Sequence, residues 1–100
     1  MTGWQQPLVS VDVVAVRWDG EELQFALHDR PNEPFAGRSA LPGVLLLPGE
    51  LLIDAVHRAV GTKLGAAAGG VVHVTQVGAF DGTNRDPRGA TISIAHLALF

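Results

Sequence analysis

Two kinds of charged residue stand where they could act on a diphosphate. Glu50 and Asp54 lie where Pro48-Gly49 gives way to an apolar-periodic segment, and carboxylates so placed could hold a hard cation such as magnesium through oxygen ligands. Arg30 and Arg38 sit in one Pro- and Gly-containing loop, DRPNEPFAGRSALPG from Asp29 to Gly43, and Arg85 and Arg88 in a second, RDPRG. A guanidinium stays charged at any ordinary pH, and its planar fork of donors matches phosphate oxygens bidentately. Hydrolysis of a diphosphate asks for more, since metal ions must gather the oxygens, neutralise developing charge and acidify the attacking water. Plainer readings of the same residues exist. Two acids at the start of a helix suit the positive end of its dipole, Asp86 pairing with an arginine would stiffen its turn, and Phe35 would pin its loop to the core.

The elements that must position these groups follow from periodicity. Leu8 to Trp18 (LVSVDVVAVRW) alternates and then runs apolar, Asp19-Gly20 signals a hairpin, and Leu23 to His28 returns as a second strand. Ser39 to Leu47 is extended, with a bend or bulge at Pro42-Gly43. Leu51 to Leu64 is the one segment with helical spacing: Leu52, Ala55, Val56, Ala59, Val60 and Leu64 follow the i, i+3, i+4, i+7 rule, and Gly65 is a C-terminal stop. Val71 to Phe80 and Thr91 onward read as further strands around a polar loop from Asp81 to Ala90. Strands, one helix and then strands argue for an α+β arrangement with a helix on the face of a mixed sheet.

Composition narrows the function classes. One hundred residues at 47% hydrophobic content suffice for one small domain. A net charge of −3 supplies no basic field for nucleic acid, and the lack of cysteine removes disulfide and thiolate chemistry. No apolar run approaches the roughly 18 residues of a membrane span, and the start, MTGWQQPLVS, lacks a signal-peptide pattern. The expected location is cytoplasmic. His28, His57, His73 and His96 show no metal-ligand spacing.

Spacing then points to a family. Leu41 to Gly65 reads LPGVLLLPGELLIDAVHRAVGTKLG. Anchored on Gly49-Glu50, it resembles a Nudix box, with Arg58, Val60 and Gly65 in register. Val44 falls on the first box glycine, and Ala59, Thr62 and Lys63 fall on the three glutamates that hold magnesium in that family. Arg30, Glu33, Pro34, Phe35, Gly37 and Ala40 to Gly43 are similar to the segment before the box in ADP-ribose-type Nudix proteins, although Ser39 stands where a Trp is common. Arg85 to Gly89, followed by Ser93 and Ala95, resembles a segment of ADP-ribose pyrophosphatases and of Nudix-like transcriptional regulators of NAD metabolism. The helix end, with Arg58, Val60, Lys63 and Gly65, is closer to the regulators, with Leu64 in place of Thr.

The resemblance implies a Nudix-type α/β/α sandwich with a mixed β-sheet, residues 1–100 forming a single domain that is incomplete at its C-terminal end. It implies a non-catalytic module that binds ADP-ribose or a related nucleoside diphosphate derivative, as the sensor part of a transcriptional regulator. The alternative is a divergent Nudix hydrolase, with metal on Glu50, Asp54, Asp81 or Asp86; a domain without a ligand is a third reading. The ligand-binding residues expected are Arg30, Phe35, Arg38, Gly43, Arg85, Asp86 and Arg88, with no catalytic and no metal-ligating residue. No cofactor is expected, Mg2+ entering only with the hydrolase. The expected partner is a small nucleotide, without nucleic acid or membrane contact through this segment; a homodimer is left open.

Overall fold

Valines alternating with smaller or polar residues make Leu8–Trp18 a strand, β1, and every other element is placed against it. The computed structural model describes residues 6–29, 37–65, 70–81 and 90–100. The further strands are β2 (Leu23–Ala26), β3 (His28–Asp29), β4 (Ser39–Ala40), β5 (Gly43–Leu45), β6 (His73–Phe80) and β7 (Thr91–Leu99), with one helix, α1 (Leu52–Leu64). The main sheet runs β2-β1-β7-β6, with β5 beside β2 on the same edge of β1. β1 and β7 are parallel from Leu8↔Thr91 to Val16↔Leu99, whereas β2, β5 and β6 pair antiparallel with their neighbours. β3 and β4 form a separate two-stranded ribbon.

This is the mixed sheet with a helix on its face that the pattern predicts. The hairpin turn is longer than a two-residue one. Asp19 Oδ1 accepts the N–H groups of Glu21 and Glu22, and Gly20 takes a φ of 104°, open to a residue without Cβ. The expected strand Leu23 to His28 breaks at Leu27, where the chain leaves β1 for the β3–β4 ribbon. The expected strand Ser39 to Leu47 breaks at Leu41-Pro42 as the chain returns. Pro42 is fully buried, and its carbonyl accepts Val13 N–H at 2.8 Å, so the break still hydrogen-bonds to the sheet.

α1 begins one residue later than the periodicity suggests, with Leu51 as an extended N-cap that offers no side-chain oxygen. It ends as expected at Gly65, left-handed at φ 66°. Its buried residues are Ala55, Val56, Ala59 and Val60, which meet Val11, Val13, Ala15 and Ala98 on one face of the sheet. Leu52, Leu64, Val44, Leu46, Val74 and Phe100 close around this core. Residues of a strand alternate between faces. Ser10 and Asp12 of β1 therefore belong to the face away from α1, together with Ser93 of β7, which stands in register with Ser10.

Candidate functional site

The box segment is fastened by Arg58. Its Nε donates to Glu50 Oε2 at 2.9 Å, and its Nη2 donates to Glu50 Oε1 at 3.0 Å and to the Leu45 carbonyl at 2.8 Å. Glu50 Oε1 also accepts Leu47 N–H at 3.1 Å, while Glu50 N–H donates to the Leu47 carbonyl at 3.0 Å. One guanidinium thus ties the end of β5, the turn at Pro48-Gly49 and the middle of α1. The Glu50 side chain is only 13% exposed. Its hydrogen bond from Arg58, and then that from the Leu47 amide, hold its carboxyl below the ordinary carboxylate range. Glu50 in turn holds the Arg58 guanidinium's pKa above its ordinary value. Glu50 is therefore the partner of an arginine rather than a charge placed against the helix dipole.

The other box positions fall into different surroundings. Ala59 is fully buried in the core beneath β1. Thr62 is exposed, and its hydroxyl turns back to the Arg58 carbonyl at 2.8 Å. Lys63 lies in the last turn, where a cation complements the negative helix end. Val44 is in a strand rather than a loop: it stands opposite Val11 in β5 and packs against the core. Asp54 is exposed in the first turn of α1. Magnesium needs several free oxygen donors converging on one point. Both Glu50 oxygens are engaged by Arg58, and among the described residues no group of three His, Asp or Glu is brought together to hold a metal. The described residues do not form the metal cluster of a hydrolase.

Of the expected ligand-binding residues, Arg38 and Gly43 are described. Arg38 is exposed between Gly37, with φ 82°, and β4. Gly43 is opposite Asp12 in the β1–β5 register, and a Cβ added to it would overlap Asp12 Oδ1. A neighbouring carboxylate, then, is what demands glycine at this position. Arg30, Phe35, Arg85, Asp86 and Arg88 lie outside the described residues, but the anchors of the second loop are defined. It leaves β6 after Phe80 and enters β7 at Thr91, and Leu8 N–H bonds to the Ala90 carbonyl at 3.0 Å. On the opposite edge of the same strand end, Leu46 N–H bonds to the Val9 carbonyl at 2.8 Å. The box turn and the loop carrying RDPRG therefore both spring from the first residues of β1, one on each side.

One polar group was not foreseen. Asp12 Oδ2 accepts the Ser10 hydroxyl at 2.8 Å and the Ser93 hydroxyl of β7 through a very short contact. An acid inside the apolar run VSVDVVAV is the signal that could have found it. The Glu50–Arg58 staple gives a weaker signal, because Glu50 lies outside the helix and their spacing of eight has no helical meaning.

No family model matches the chain. It is 32% identical over 98 residues to the "ADPR responsive transcriptional repressor NtrR" of Acinetobacter baylyi, covering 96% of this chain and 38% of that protein. The chain thus spans well under half the length of this curated relative. Among solved structures it is similar to the Nudix domain of Shewanella oneidensis NrtR complexed with ADP ribose, with a TM-score of 0.85 and 26% identity over 97% of this chain and 62% of that one. It is similar also to a MutT/nudix family protein from Enterococcus faecalis, with a TM-score of 0.87 and 27% identity over 100% of this chain and 39% of that one.

Proposed function

The chain has the Nudix fold with a degenerate box, and on that premise we propose that it is a non-catalytic module that binds ADP-ribose or a related nucleoside diphosphate derivative and serves as the sensor part of a transcriptional regulator. The observation that carries this reading is the use made of the box helix. Arg58 occupies the carboxylate of Glu50, and the core occupies the position of Ala59, so the helix supports a loop instead of presenting acids to a cation. Support comes also from the Acinetobacter relative, an ADPR-responsive repressor by name, and from the Shewanella domain, solved with ADP ribose.

The diphosphate would be met by arginines. Arg85 and Arg88 would grip its oxygens, with Asp86 orienting one of them; Arg30, Arg38 and Phe35 would close from the other loop, and Gly43 would contribute only backbone. Metal has no part in this binding. Nucleic acid would be contacted by parts of the regulator other than this segment.

Calorimetric titration with ADP-ribose, in magnesium and again in EDTA, tests the proposal alongside an assay of AMP release. The expected result is saturable binding, unchanged by EDTA, without AMP release. Loss of binding in EDTA, or turnover in the common enzyme range of about 1 to 1000 per second, would overturn it in favour of the hydrolase.

A further inference from the structure

At the far end of β1 from the box turn, the β1–β2 hairpin and the end of α1 enclose a cleft of about 630 Å³. Its walls include Arg17, Gln24, Phe25, Ala26, Leu64 and Phe100. That volume lies within the range of roughly 300 to 1,000 Å³ common for small-molecule sites. A strand rises about 3.3 Å per residue, which puts Arg17 roughly 30 Å from Leu8, where the RDPRG loop is anchored. The cleft is therefore separate from the site proposed above.

Apart from Arg17 and Gln24, the named walls are hydrocarbon. Leu64 and Ala26 belong to the margin of the core, and Phe100 is fixed by its N–H to the Val16 carbonyl at 2.9 Å. Phe25, in register with Val16, belongs to the other face of the hairpin, so the apolar lining on the side of Arg17 and Gln24 comes from Ala26, Leu64 and Phe100. Arg17 and Gln24 face each other across the β1–β2 pair, and Arg17 Nε donates to Gln24 Oε1 at 2.6 Å. This bond orients the guanidinium. It leaves the two terminal nitrogens without a partner among the described residues.

The surrounding charge selects among anions. The adjoining turn carries Asp19, Glu21 and Glu22, all exposed. The amides of Glu22 and Glu21 hold the Asp19 carboxyl below its usual range, with a lesser contribution from the charge of Arg17. Asp19 nonetheless forms no ion pair with Arg17 among the described residues. The three acids beside this single guanidinium disfavour a polyanion such as a diphosphate more than a monoanion. A single carboxylate matches the guanidinium, because two oxygens meet two parallel N–H groups. We propose that this cleft is a second ligand site, taking a small molecule with one carboxylate on an aromatic or branched apolar body, with Arg17 as the anion anchor and Gln24 holding it in place.

Naphthoate and its neutral isostere naphthamide test this on the 15N-labelled chain by NMR titration. Naphthoate should shift the amides of Ala26, Leu64 and Phe100 saturably. Naphthamide should bind about tenfold more weakly, the loss of one charge-assisted contact pair. Arg17→Ala should weaken naphthoate to the level of naphthamide without affecting the latter, and Gln24→Ala should weaken naphthoate to a smaller extent. The same shifts should persist with ADP-ribose present and in Arg85→Ala, which makes failure here distinct from failure at the nucleotide site. Equal binding of acid and amide, or unchanged naphthoate binding in Arg17→Ala, would overturn the proposal, as would shifts scattered away from the cleft.

Discussion

Glu50 and Arg58 keep their places in the box and pair with each other. The carboxylate has a depressed pKa because Arg58 hydrogen-bonds it, so its stabilising contribution is complete above the ordinary value of 4.5 and is lost as pH falls through the lower folded value. Urea denaturation of the native chain and of Glu50→Gln should therefore differ most above pH 5 or so and converge on acidification. A constant gap from neutral to acid pH would contradict the staple. Ala59 is another box position. Glutamate there would bury an unpaired charge against Val11 and Val13, at a cost of roughly 3 kcal/mol or more, whereas Thr62→Glu, on the exposed side, should stay within about 0.5 kcal/mol. Restoring the box glutamates should accordingly unfold the protein before it creates an enzyme. Thermal melts of the two single variants check this. In the proposed nucleotide site, Arg85→Ala or Arg88→Ala should cost roughly 1.5 to 3 kcal/mol of ADP-ribose affinity, the scale of hydrogen bonds to charged groups, while Arg17→Ala, at the other end of β1, should leave that affinity unchanged; calorimetry distinguishes the outcomes.

Elements with a strong period were readable before any coordinates. β1, β6, β7 and α1 lie close to where alternation or the helical rule puts them, and Gly65 caps α1 as its position suggests. What could not be read were contacts between elements. Gly43 looks in sequence like a glycine kept for close approach to a ligand, and only the β1–β5 register reveals that Asp12 occupies the space. Asp12 also takes hydroxyls from Ser10 and from Ser93, 81 positions away, and no local pattern reports such a meeting. Gly43→Ala should therefore be destabilising by about 1 to 3 kcal/mol, as for overpacking in a tight site. In an Asp12→Ala background the same change should cost at least about 1 kcal/mol less. A double-mutant cycle by chemical denaturation measures that difference, and additive costs would show that the glycine is needed for another reason. Five of the seven expected ligand residues, Arg30, Phe35, Arg85, Asp86 and Arg88, fall outside the described residues, so the loop chemistry still rests on sequence and on the placement of the loop ends.

At the scale of the molecule, one strand organises both proposed ligand ends. The box turn and the RDPRG loop arise beside Leu8 and Val9, and the carboxylate cleft opens beside Arg17. The chain as a whole carries a net charge of −3, so on the proposed reading an anionic nucleotide would be drawn in by local arginines against the overall field. Its affinity should consequently fall as salt is raised and those contacts are screened over about 10 Å at 0.1 M. Affinity unchanged between low and high salt would show that charge is not what holds the ligand.

The parallel pairing of β1 with β7 has a consequence in time. Leu8 is made 91 residues before Leu99, the last residue of the pair. At a synthesis rate of about 5 to 20 residues per second, β1 waits roughly 5 to 18 s for the strand that completes its long edge. In that interval only the β2 hairpin, β5 and α1 can shield its valines, and the sheet closes through contacts distant in sequence, which form slowly. The nascent chain therefore passes through a stage with one bare strand edge, when it is most exposed to pairing with the wrong partner.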